Sequence, residues 1–359
     1  MRIVVAMSGG VDSSVAAARL AREGHDVIGL SMQLYDHSVR DGAQGGEVRF
    51  GSCCTIDDLY DARRVADALG IPHYIVNFER RFEEEVVSDF VREYLAGRTP
   101  IPCVHCNADL KFAELVARAD GFDAAAVATG HYAQIDRDPS TGRFRLKRGA
   151  DAAKDQSYFL FSLTQAQLAR ARFPVGAMDK SEVRAEARRL GLRVAEKPDS
   201  QEICFVPSGA HADFVASRAG APEQGSIRDQ TGRVLGRHDG IHRFTVGQRK
   251  GLGISSTIPL YVVDIDSETA NVTVGPRTAL ERTSLTASRV NWIDGDVPSA
   301  PVRATARIRH RHEDSPATIV PIDAARASVE FDRPQVAITP GQAVVFYNGE
   351  FVLGGGWID

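Results

Sequence analysis

The chain has 359 residues, of which 43% are hydrophobic and 25% are charged, and its formal net charge is −4. These values are typical of folded globular proteins and exclude a disordered or collagen-like chain, while the length predicts two or three domains. No apolar run approaches the roughly 20 residues that a membrane span needs, and the amino terminus lacks the pattern of a signal peptide, so we expect a cytoplasmic protein with no membrane partner. The negative net charge argues against a protein that is basic over its whole surface.

Short β-branched runs alternate with helical patterns in the first two hundred residues, which predicts an α/β fold with a parallel sheet. Predicted strands cover residues 3–7, 27–34, 73–78 and 124–130. A helix is predicted after Thr55-x-x-Asp58, a capping-box pattern, and further helices near residues 83–95, 108–118, 165–171 and 181–190. Because ligands of such sheets bind beyond the carboxyl ends of the strands, residues 7–9 and 129–131 are predicted to face one crevice.

From about Phe205 onward the pattern changes to period-two alternation with frequent turn residues. Predicted strands cover residues 260–265, 271–274, 302–309, 317–321, 327–331, 343–347 and 351–353, with a connector near residues 276–284. Short strands at this spacing predict a small β-rich domain followed by a compact β-barrel.

Residues 8–14, Ser-Gly-Gly-Val-Asp-Ser-Ser, follow the first predicted strand and open a helix. Glycines let the backbone approach an anion, and the N–H groups and hydroxyls at a helix start supply donors, so this segment predicts a phosphate site. It lacks the Lys followed by Ser or Thr of the P-loop of nucleoside triphosphatases. The string resembles the PP-loop of ATP pyrophosphatases. That resemblance implies that ATP is bound there, with Ser8, Gly9, Gly10, Asp12 and Ser13 on the pyrophosphate and Asp12 assisting through Mg²⁺.

The chain has five cysteines, and the odd number favours chemistry over structural disulfides. Cys103 and Cys106 form a CxxC motif before the helix predicted at residue 108, and Cys204 lies far along the chain. This set suits a sulfur-carrying pair, a three-thiolate iron–sulfur site, or a zinc site with His105. The zinc site is the least favoured, because His105 lies between the two cysteines. The adjacent Cys53 and Cys54 are interpreted as structural filling, with a sulfur-handling role as the alternative.

Four further strings extend the pattern to the carboxyl end: ATGHYA at 128–133, KDQSYFL at 154–160, TVGQRKGLG at 245–253 and GGGW at 354–357. Together with the PP-loop and the cysteines, they resemble the bacterial tRNA-specific 2-thiouridylases. The resemblance implies a PP-loop catalytic domain at residues 1–205, a central domain at 206–280 and a C-terminal β-barrel at 281–359.

The resemblance also implies a reaction, in which ATP adenylates the C2 oxygen of the wobble uridine in tRNAs for Lys, Glu and Gln and sulfur then displaces AMP. Cys204 would carry a persulfide received from a sulfur-relay protein or a cysteine desulfurase, and Cys106 would be the nucleophile that resolves it through a transient disulfide. Implied ATP contacts add Ala6, Met7, Val11, Met32 and Gly130. Implied tRNA contacts are Ile101, Pro102, Cys103, His131, Lys154, Asp155, Gln156, Arg309, His310 and Gln342.

One position departs from the family pattern, because Cys103 stands where better-known members carry Asp. Two interpretations stay open. Cys103 is a tolerated replacement and the persulfide route holds, or Cys103, Cys106 and Cys204 ligate a 4Fe–4S cluster whose open iron binds the transferred sulfide.

Local charge differs from the net charge. Arg303, Arg307, Arg309 and Arg311 are predicted to share one face of a strand, and a second group comprises Arg137, Arg143, Arg145, Lys147 and Arg148. Such a stripe can follow a phosphate backbone. The alternatives to a tRNA 2-thiouridylase are another PP-loop adenylating enzyme, either a thiolase of a different tRNA base or an amidating ligase, and a non-catalytic tRNA-binding scaffold.

Overall fold

The computed structural model describes residues 1–34, 55–199, 203–206, 211–220 and 223–359. Cys53, Cys54 and the glycine-rich residues 42–51 lie outside the described residues. The helices are α1 (Val11–Arg22), α2 (Ile56–Leu69), α3 (Glu79–Phe82), α4 (Ser88–Leu95), α5 (Pro102–His105), α6 (Ala113–Gly121), α7 (Gln165–Arg170), α8 (Lys180–Arg189) and α9 (His211–Ala219). The strands are β1 (Arg2–Ala6), β2 (Asp26–Gln33), β3 (His73–Asn77), β4 (Ala126–Ala128), β5 (Ala133–Arg137), β6 (Phe144–Arg148), β7 (Ala171–Arg172), β8 (Gly225–Asp229), β9 (Val234–His238), β10 (Tyr261–Asp266), β11 (Asn271–Gly275), β12 (Glu281–Trp292), β13 (Val302–Arg307), β14 (Ser315–Pro321), β15 (Ala327–Val336), β16 (Ala343–Asn348) and β17 (Phe351–Ile358).

The amino-terminal part is built on a parallel sheet of order β3-β2-β1-β4-β7, which confirms the predicted α/β class. Successive side chains of β1 point to opposite faces, so Val4 packs into one hydrophobic cluster while Ile3 and Val5 pack into another. Both faces of the sheet are therefore covered, as parallel sheets require. The capping box is confirmed, because the Thr55 hydroxyl accepts a hydrogen bond from the Asp58 amide at 3.1 Å.

The helix that carries the CxxC motif begins earlier than predicted. Pro102 occupies its first turn, where proline's missing N–H costs nothing. A π-helical segment at Cys106–Phe112 then joins α5 to α6. Cys103 and Cys106 therefore lie within the helix, and the expectation that both precede it was wrong. π-helical turns are often found at functional sites.

The central part is a sheet of order β10-β11-β8-β9, with its own small core that includes Ile227, Val262 and Val272. Strands β10 and β11 lie close to the predicted positions, whereas β8, β9 and α9 were not predicted. Their sequences contain Gly, Arg, Asp and Ser at positions that obscure the alternation of apolar residues.

The carboxyl-terminal part is a closed barrel of order β12-β15-β14-β13-β16-β17, in which β12 also pairs with β17. Strand β12 begins at Glu281, so only the last four residues of the connector predicted at 276–284 belong to it, and a 3₁₀ turn covers Arg277–Leu280. The hairpin β5–β6 belongs to the same sheet, because β6 pairs with β17 through Val352 and Leu146. The amino-terminal chain thus contributes strands to the sheet of the barrel.

The predicted arginine stripe was wrong. Strand β13 ends at Arg307, so Arg309 and Arg311 do not continue its alternating face. Arg303 pairs with Asp332, and Arg307 pairs with Asp314 at 2.8 Å. In the second predicted group, Arg145 pairs with Asp136 and Asp138. Most of these cations are therefore compensated within the protein. Among the described helices, none is long and apolar enough to cross a membrane.

Candidate active site at the glycine-rich loop

The loop between β1 and α1 leaves space for an anion only because glycines form it. Gly9 has a φ of 73°, and a Cβ there would lie 2.1 Å from the Asp58 carbonyl oxygen. Gly130, which follows β4, approaches so closely that a Cβ would lie 2.5 Å from the Ser13 amide nitrogen. Gly10 caps α1 and offers no side chain to its first N–H groups. These donors, together with the positive end of the helix dipole, form an anion site.

The hydroxyls of Ser13 and Ser14 fix the shape of this loop. The Ser8 amide donates to the Ser13 hydroxyl at 3.1 Å. The Ser13 and Ser14 hydroxyls donate to the Gly10 carbonyl at 3.2 and 2.8 Å. Because Ser13 and Ser14 are buried, these bonds hold the loop in place before any ligand binds.

Asp12 lies in the first turn of α1 and is held by two side chains from distant parts of the chain. Lys180 Nζ lies 2.8 Å from one of its carboxylate oxygens, and the Tyr132 hydroxyl donates to it at 2.7 Å. Burial, and then the charge of Asp12, raise the pKa of Tyr132, so its hydroxyl stays protonated as a donor. Lys180 also pairs with Asp199 at 2.7 Å, and Lys154 pairs with the same carboxylate at 2.6 Å. The loop is thus bordered by two lysines and two aspartates.

Lys197 forms a second link to the loop. Its ammonium donates to the Gly9 carbonyl at 3.0 Å and lies 2.6 Å from carboxylate oxygens of both Asp58 and Asp61. Burial alone would lower the pKa of Lys197, but the hydrogen bonds to the two aspartates outweigh burial and raise it. Lys197 and Asp199 precede Cys204, so the segment leading to that thiol is tied to the loop at two residues. Sequence analysis missed Lys180, Lys197 and Asp199 as site residues, because no short motif contains their partners.

The three candidate thiols differ in exposure. Cys103 is exposed, Cys106 is buried and Cys204 is half-buried. Cys106 and Cys204 pack into the same hydrophobic cluster, which also contains Phe205. The cluster is extensive and includes residues of the parallel sheet and of the barrel, so it contacts both cysteines of the predicted route.

The predicted metal alternatives find no support in the geometry. In the described ranges, no three His, Cys, Asp or Glu side chains are grouped as a metal site would need. The 4Fe–4S cluster on Cys103, Cys106 and Cys204 therefore does not fit the described donor set. His105 stacks on Trp357 of the barrel with ring centroids 4.9 Å apart, so its ring is engaged at the interface between catalytic domain and barrel.

Several predicted tRNA contacts act inside the protein. Asp155 is buried, accepts hydrogen bonds from the Gly149 and Ser157 amides at 3.1 and 3.0 Å, and pairs with Arg148 at 3.4 Å. The charge of this carboxylate is thus engaged within the protein, and the contact of Asp155 with tRNA stays a prediction. Gln156 is also engaged, because its side-chain oxygen accepts from the Tyr132 amide at 2.9 Å.

Gln342 and His310 link the barrel to the catalytic domain. The Gln342 amide donates to the Thr99 carbonyl at 2.9 Å, directly before Pro100 and the buried Ile101 and Pro102. His310 Nε2 lies 3.3 Å from the Asp155 carbonyl oxygen. These contacts position the helix that carries Cys106 without excluding a further contact with RNA.

The remaining predicted site residues lie in different parts of the structure. β1 ends at Ala6, Met7 directly follows it, and Met32 lies near the end of β2 on the same sheet edge. His131 Nδ1 lies 2.7 Å from the Thr129 hydroxyl, and burial, followed by the charge of Lys111, lowers the pKa of His131 to about 3. His131 is therefore neutral at physiological pH. Arg309 is exposed, and its guanidinium donates to the Val336 carbonyl at 3.3 Å.

Comparison with known proteins places this site in a family. Residues 1–208 match the model of the tRNA methyl transferase HUP domain, residues 212–276 that of the tRNA methyl transferase PRC-barrel domain, and residues 282–358 that of the aminomethyltransferase β-barrel domain. The tRNA-specific 2-thiouridylase MnmA of Geotalea uraniireducens is 55% identical across all of this chain and 95% of its own length. The MnmA of Solibacter usitatus is 54% identical, with 99% of each chain covered.

The chain belongs to the MnmA family of tRNA-specific 2-thiouridylases. This confirms the resemblance inferred from the PP-loop, the cysteines and the four further strings. The three matched domain models, together with the three sheets, also confirm the predicted fold class of a PP-loop domain, a small β-rich domain and a β-barrel.

Proposed function

We propose that the protein uses ATP to replace the C2 oxygen of the wobble uridine of tRNA with sulfur, in tRNAs for Lys, Glu and Gln. The observation that carries the proposal is the 55% sequence identity with an MnmA protein over the whole of this chain. The anion site at the glycine-rich loop supports the proposal independently. An amidating ligase would need no thiol, and a scaffold would not need Asp12, Lys180 and Lys154 arranged at the anion site.

The anion site at the glycine-rich loop suits adenylation of the uridine. The first N–H groups of α1 and the Ser8 and Ser13 hydroxyls would bind the phosphates, while Lys180 and Lys154 supply positive charge beside them. The uridine C2 oxygen attacks the α-phosphorus of ATP, the bond to the β-phosphate breaks, and pyrophosphate leaves with the charge that these groups stabilise. Asp12 fits Mg²⁺, which proteins commonly hold through one or two carboxylates together with substrate phosphates. When bound, that ion would neutralise charge on the departing pyrophosphate.

Sulfur transfer would use Cys204 and Cys106. The terminal sulfur of a Cys204 persulfide attacks C2, and AMP leaves with the original oxygen. The Cys106 thiolate then attacks the inner sulfur of Cys204, which breaks the S–S bond, leaves 2-thiouridine and forms a Cys106–Cys204 disulfide. The two thiols supply the two electrons that reduce the transferred sulfur, so an external thiol reductant must restore the enzyme.

The route also requires partners. A persulfide-donating relay protein or a cysteine desulfurase would load Cys204, and we place the reaction in the cytoplasm, where tRNA and reduced thiols occur together. Cys103, exposed on the helix that carries Cys106, is a tolerated replacement for the aspartate of better-known members.

The proposal is tested with unmodified tRNA, ATP, Mg²⁺ and a persulfide donor, by mass spectrometry of the nucleosides. We expect ATP-dependent 2-thiouridine from the wild-type protein. Cys204→Ser and Cys106→Ser should abolish the product because each removes a sulfur that the route needs. Both variants should still release pyrophosphate in the presence of tRNA, which serves as the internal control for folding and ATP use. Product formation by either cysteine variant would contradict the route, and no product from the wild-type protein would refute the function.

A further inference from the structure

The thiol of Cys103 takes no step in the proposed reaction, although it lies on the helix that carries Cys106. Cys103 belongs to α5, and the backbone of Cys106 continues with helical torsion angles, a φ of −58° and a ψ of −38°. Residues three apart on a helix share a face, with their Cα atoms about 5 Å apart. Disulfides join cysteines whose Cα atoms are about 4.4–6.8 Å apart. The backbone therefore already allows a disulfide between Cys103 and Cys106.

Side chains from other parts of the chain hold this helix on both sides of the CxxC motif. Before the motif, the Gln342 amide donates to the Thr99 carbonyl at 2.9 Å. After the motif, the Gln167 amide donates to the Ala108 carbonyl at 3.2 Å. One positioned backbone thus presents both thiols, so a reaction between them is intramolecular and has a high effective concentration.

The three cysteines differ in exposure in a way that matters for reduction. Cys106 is 6% exposed, Cys204 is half-buried and Cys103 is exposed. A reductant must bring its thiolate onto one sulfur of a disulfide, so access decides which disulfide it reduces quickly. A Cys106–Cys204 disulfide joins the two less accessible residues, whereas a Cys103–Cys106 disulfide includes the accessible one.

We propose that Cys103 is a second resolving cysteine, which moves the disulfide from Cys106–Cys204 to Cys103–Cys106 after each sulfur transfer. This inference rests on the proposed function and extends it to the regeneration of the enzyme. The Cys103 thiol gives its proton to solvent, and the thiolate attacks Sγ of Cys106. The bond between Cys106 and Cys204 breaks, and Cys204 leaves as a thiolate that takes up a proton. The two-electron oxidation moves from one cysteine pair to the other, so the exchange itself consumes no reductant.

The reduction that follows takes place at the exposed cysteine. A dithiol reductant attacks Sγ of Cys103, and Cys106 leaves as a thiolate that takes up a proton. The second thiol of the reductant then attacks its own sulfur in the mixed disulfide and releases Cys103. The reductant becomes a disulfide and both cysteines become thiols. Because Cys204 is reduced before this step, it can accept the next persulfide sulfur while the CxxC pair is restored.

The competing interpretation is that Cys103 is inert and that the reductant acts on the Cys106–Cys204 disulfide directly. The two interpretations differ in the disulfide that is present after one turnover without reductant. Persulfide-loaded enzyme is therefore mixed with unmodified tRNA, ATP and Mg²⁺, the thiols are alkylated, and the disulfides are identified by mass spectrometry of peptides. In the wild-type protein we expect the Cys103–Cys106 disulfide and an alkylated Cys204.

Cys103→Ser and Cys103→Asp are the matched variants, and the second restores the residue of better-known family members. Because the exchange follows sulfur transfer, each variant should form 2-thiouridine in the single turnover, together with an equal amount of the Cys106–Cys204 disulfide. In repeated turnover with a protein dithiol as reductant, both should be several-fold slower than the wild-type protein. The small reductant dithiothreitol should restore most of that rate. Pyrophosphate release in the presence of tRNA is the control for folding.

The outcomes separate this inference from the proposed function. If 2-thiouridine forms and the wild-type protein keeps the Cys106–Cys204 disulfide, the role of Cys103 is overturned and the function stands. The same conclusion follows if 2-thiouridine forms without a disulfide, or with a disulfide to Cys53 or Cys54. Loss of the single-turnover product in a folded Cys103→Asp variant would place Cys103 before sulfur transfer and overturn the inference. No 2-thiouridine from the wild-type protein would refute the function and the inference together.

Discussion

Single residues at the glycine-rich loop are constrained by backbone contacts that few substitutions can satisfy. At Gly9 and Gly130, the nearest atoms to an added Cβ belong to the backbone of α2 and α1. Backbone atoms cannot rotate away as the end of a flexible side chain can, so either substitution must displace a helix. The anion site therefore depends on these two residues although neither provides a charged group.

Gly130→Ala is expected to weaken ATP binding and to lower the free energy of unfolding by about 1–3 kcal/mol, because the new methyl group would push against the first turn of α1. Equilibrium dialysis with ATP and denaturant unfolding measure the two effects. Gly121→Ala is the matched control, since a Cβ there meets nothing within 4 Å and the residue ends α6. Unchanged ATP affinity in Gly130→Ala would show that the close approach is not needed.

Residues could be predicted from sequence where their chemistry is local. The PP-loop and the Thr55 capping box each lie within a few consecutive residues, so their spacing alone predicts their geometry. The Lys180–Asp12 pair joins residues 168 positions apart, and sequence spacing carries no information about it. At Asp155 the motif at residues 154–160 predicts a functional residue, but the motif carries no information about the burial of the Asp155 carboxylate.

At the scale of elements, the segment that ends α8 and leads to Cys204 is attached to the loop. The 3₁₀ turn Arg193–Glu196 precedes Lys197, whose ammonium joins the Gly9 carbonyl to Asp58 and Asp61 of α2. Asp199 attaches the next residues to Lys180 and Lys154. Ion pairs of Lys197 and Asp199 therefore connect the segment after α8 to the glycine-rich loop.

Lys197→Met is expected to weaken ATP binding roughly tenfold, which corresponds to about 1.4 kcal/mol. The substitution leaves Asp58 and Asp61 unneutralised beside the phosphates, so their charge would repel ATP. Isothermal titration with ATP measures the loss. The control is Arg188→Met, which breaks an exposed ion pair with Glu196 in the same part of the chain. Exposed ion pairs contribute little to the free energy of folding. Equal affinities in the two variants would contradict this role of Lys197.

Elements were predictable where their periodicity is clear. Strands β1, β2 and β4 are largely apolar and buried, and β3 contains the β-branched pair Ile75 and Val76 although it is mostly exposed. All strands of the parallel sheet but the two-residue β7 were predicted. Strand β12 was missed because its first residues, Glu-Arg-Thr-Ser, are exposed and polar, and only Leu285, Ala287, Val290 and Trp292 are buried. The hairpin β5–β6 was also missed, because its partner β17 lies about 200 residues further along the chain.

At the scale of the whole molecule, the catalytic domain and the barrel share one hydrophobic cluster. Tyr347, Val352 and Trp357 of the barrel pack with Phe112 and Phe161 of the amino-terminal chain, whereas the central sheet has a separate core. The buried Tyr158 hydroxyl also donates to the Ala343 carbonyl at 2.8 Å. The barrel also has a core of its own, which includes Ala306 and Phe346, so the shared cluster joins the amino-terminal part to a unit that has further packing inside it.

This shared core predicts that the catalytic domain and the barrel lose structure together. Phe161 is fully buried, and a Cβ on Gly355 would lie 2.7 Å from its ring, so Phe161→Ala removes packing on both sides of the interface. We expect the free energy of unfolding to fall by about 3–5 kcal/mol, and amide hydrogen exchange to become faster in both α6 and β17. Ile227→Ala, in the separate core of the central sheet, should accelerate exchange in β8 and β11 and leave α6 and β17 unchanged. Faster exchange in β17 alone after Phe161→Ala would show that the barrel folds independently.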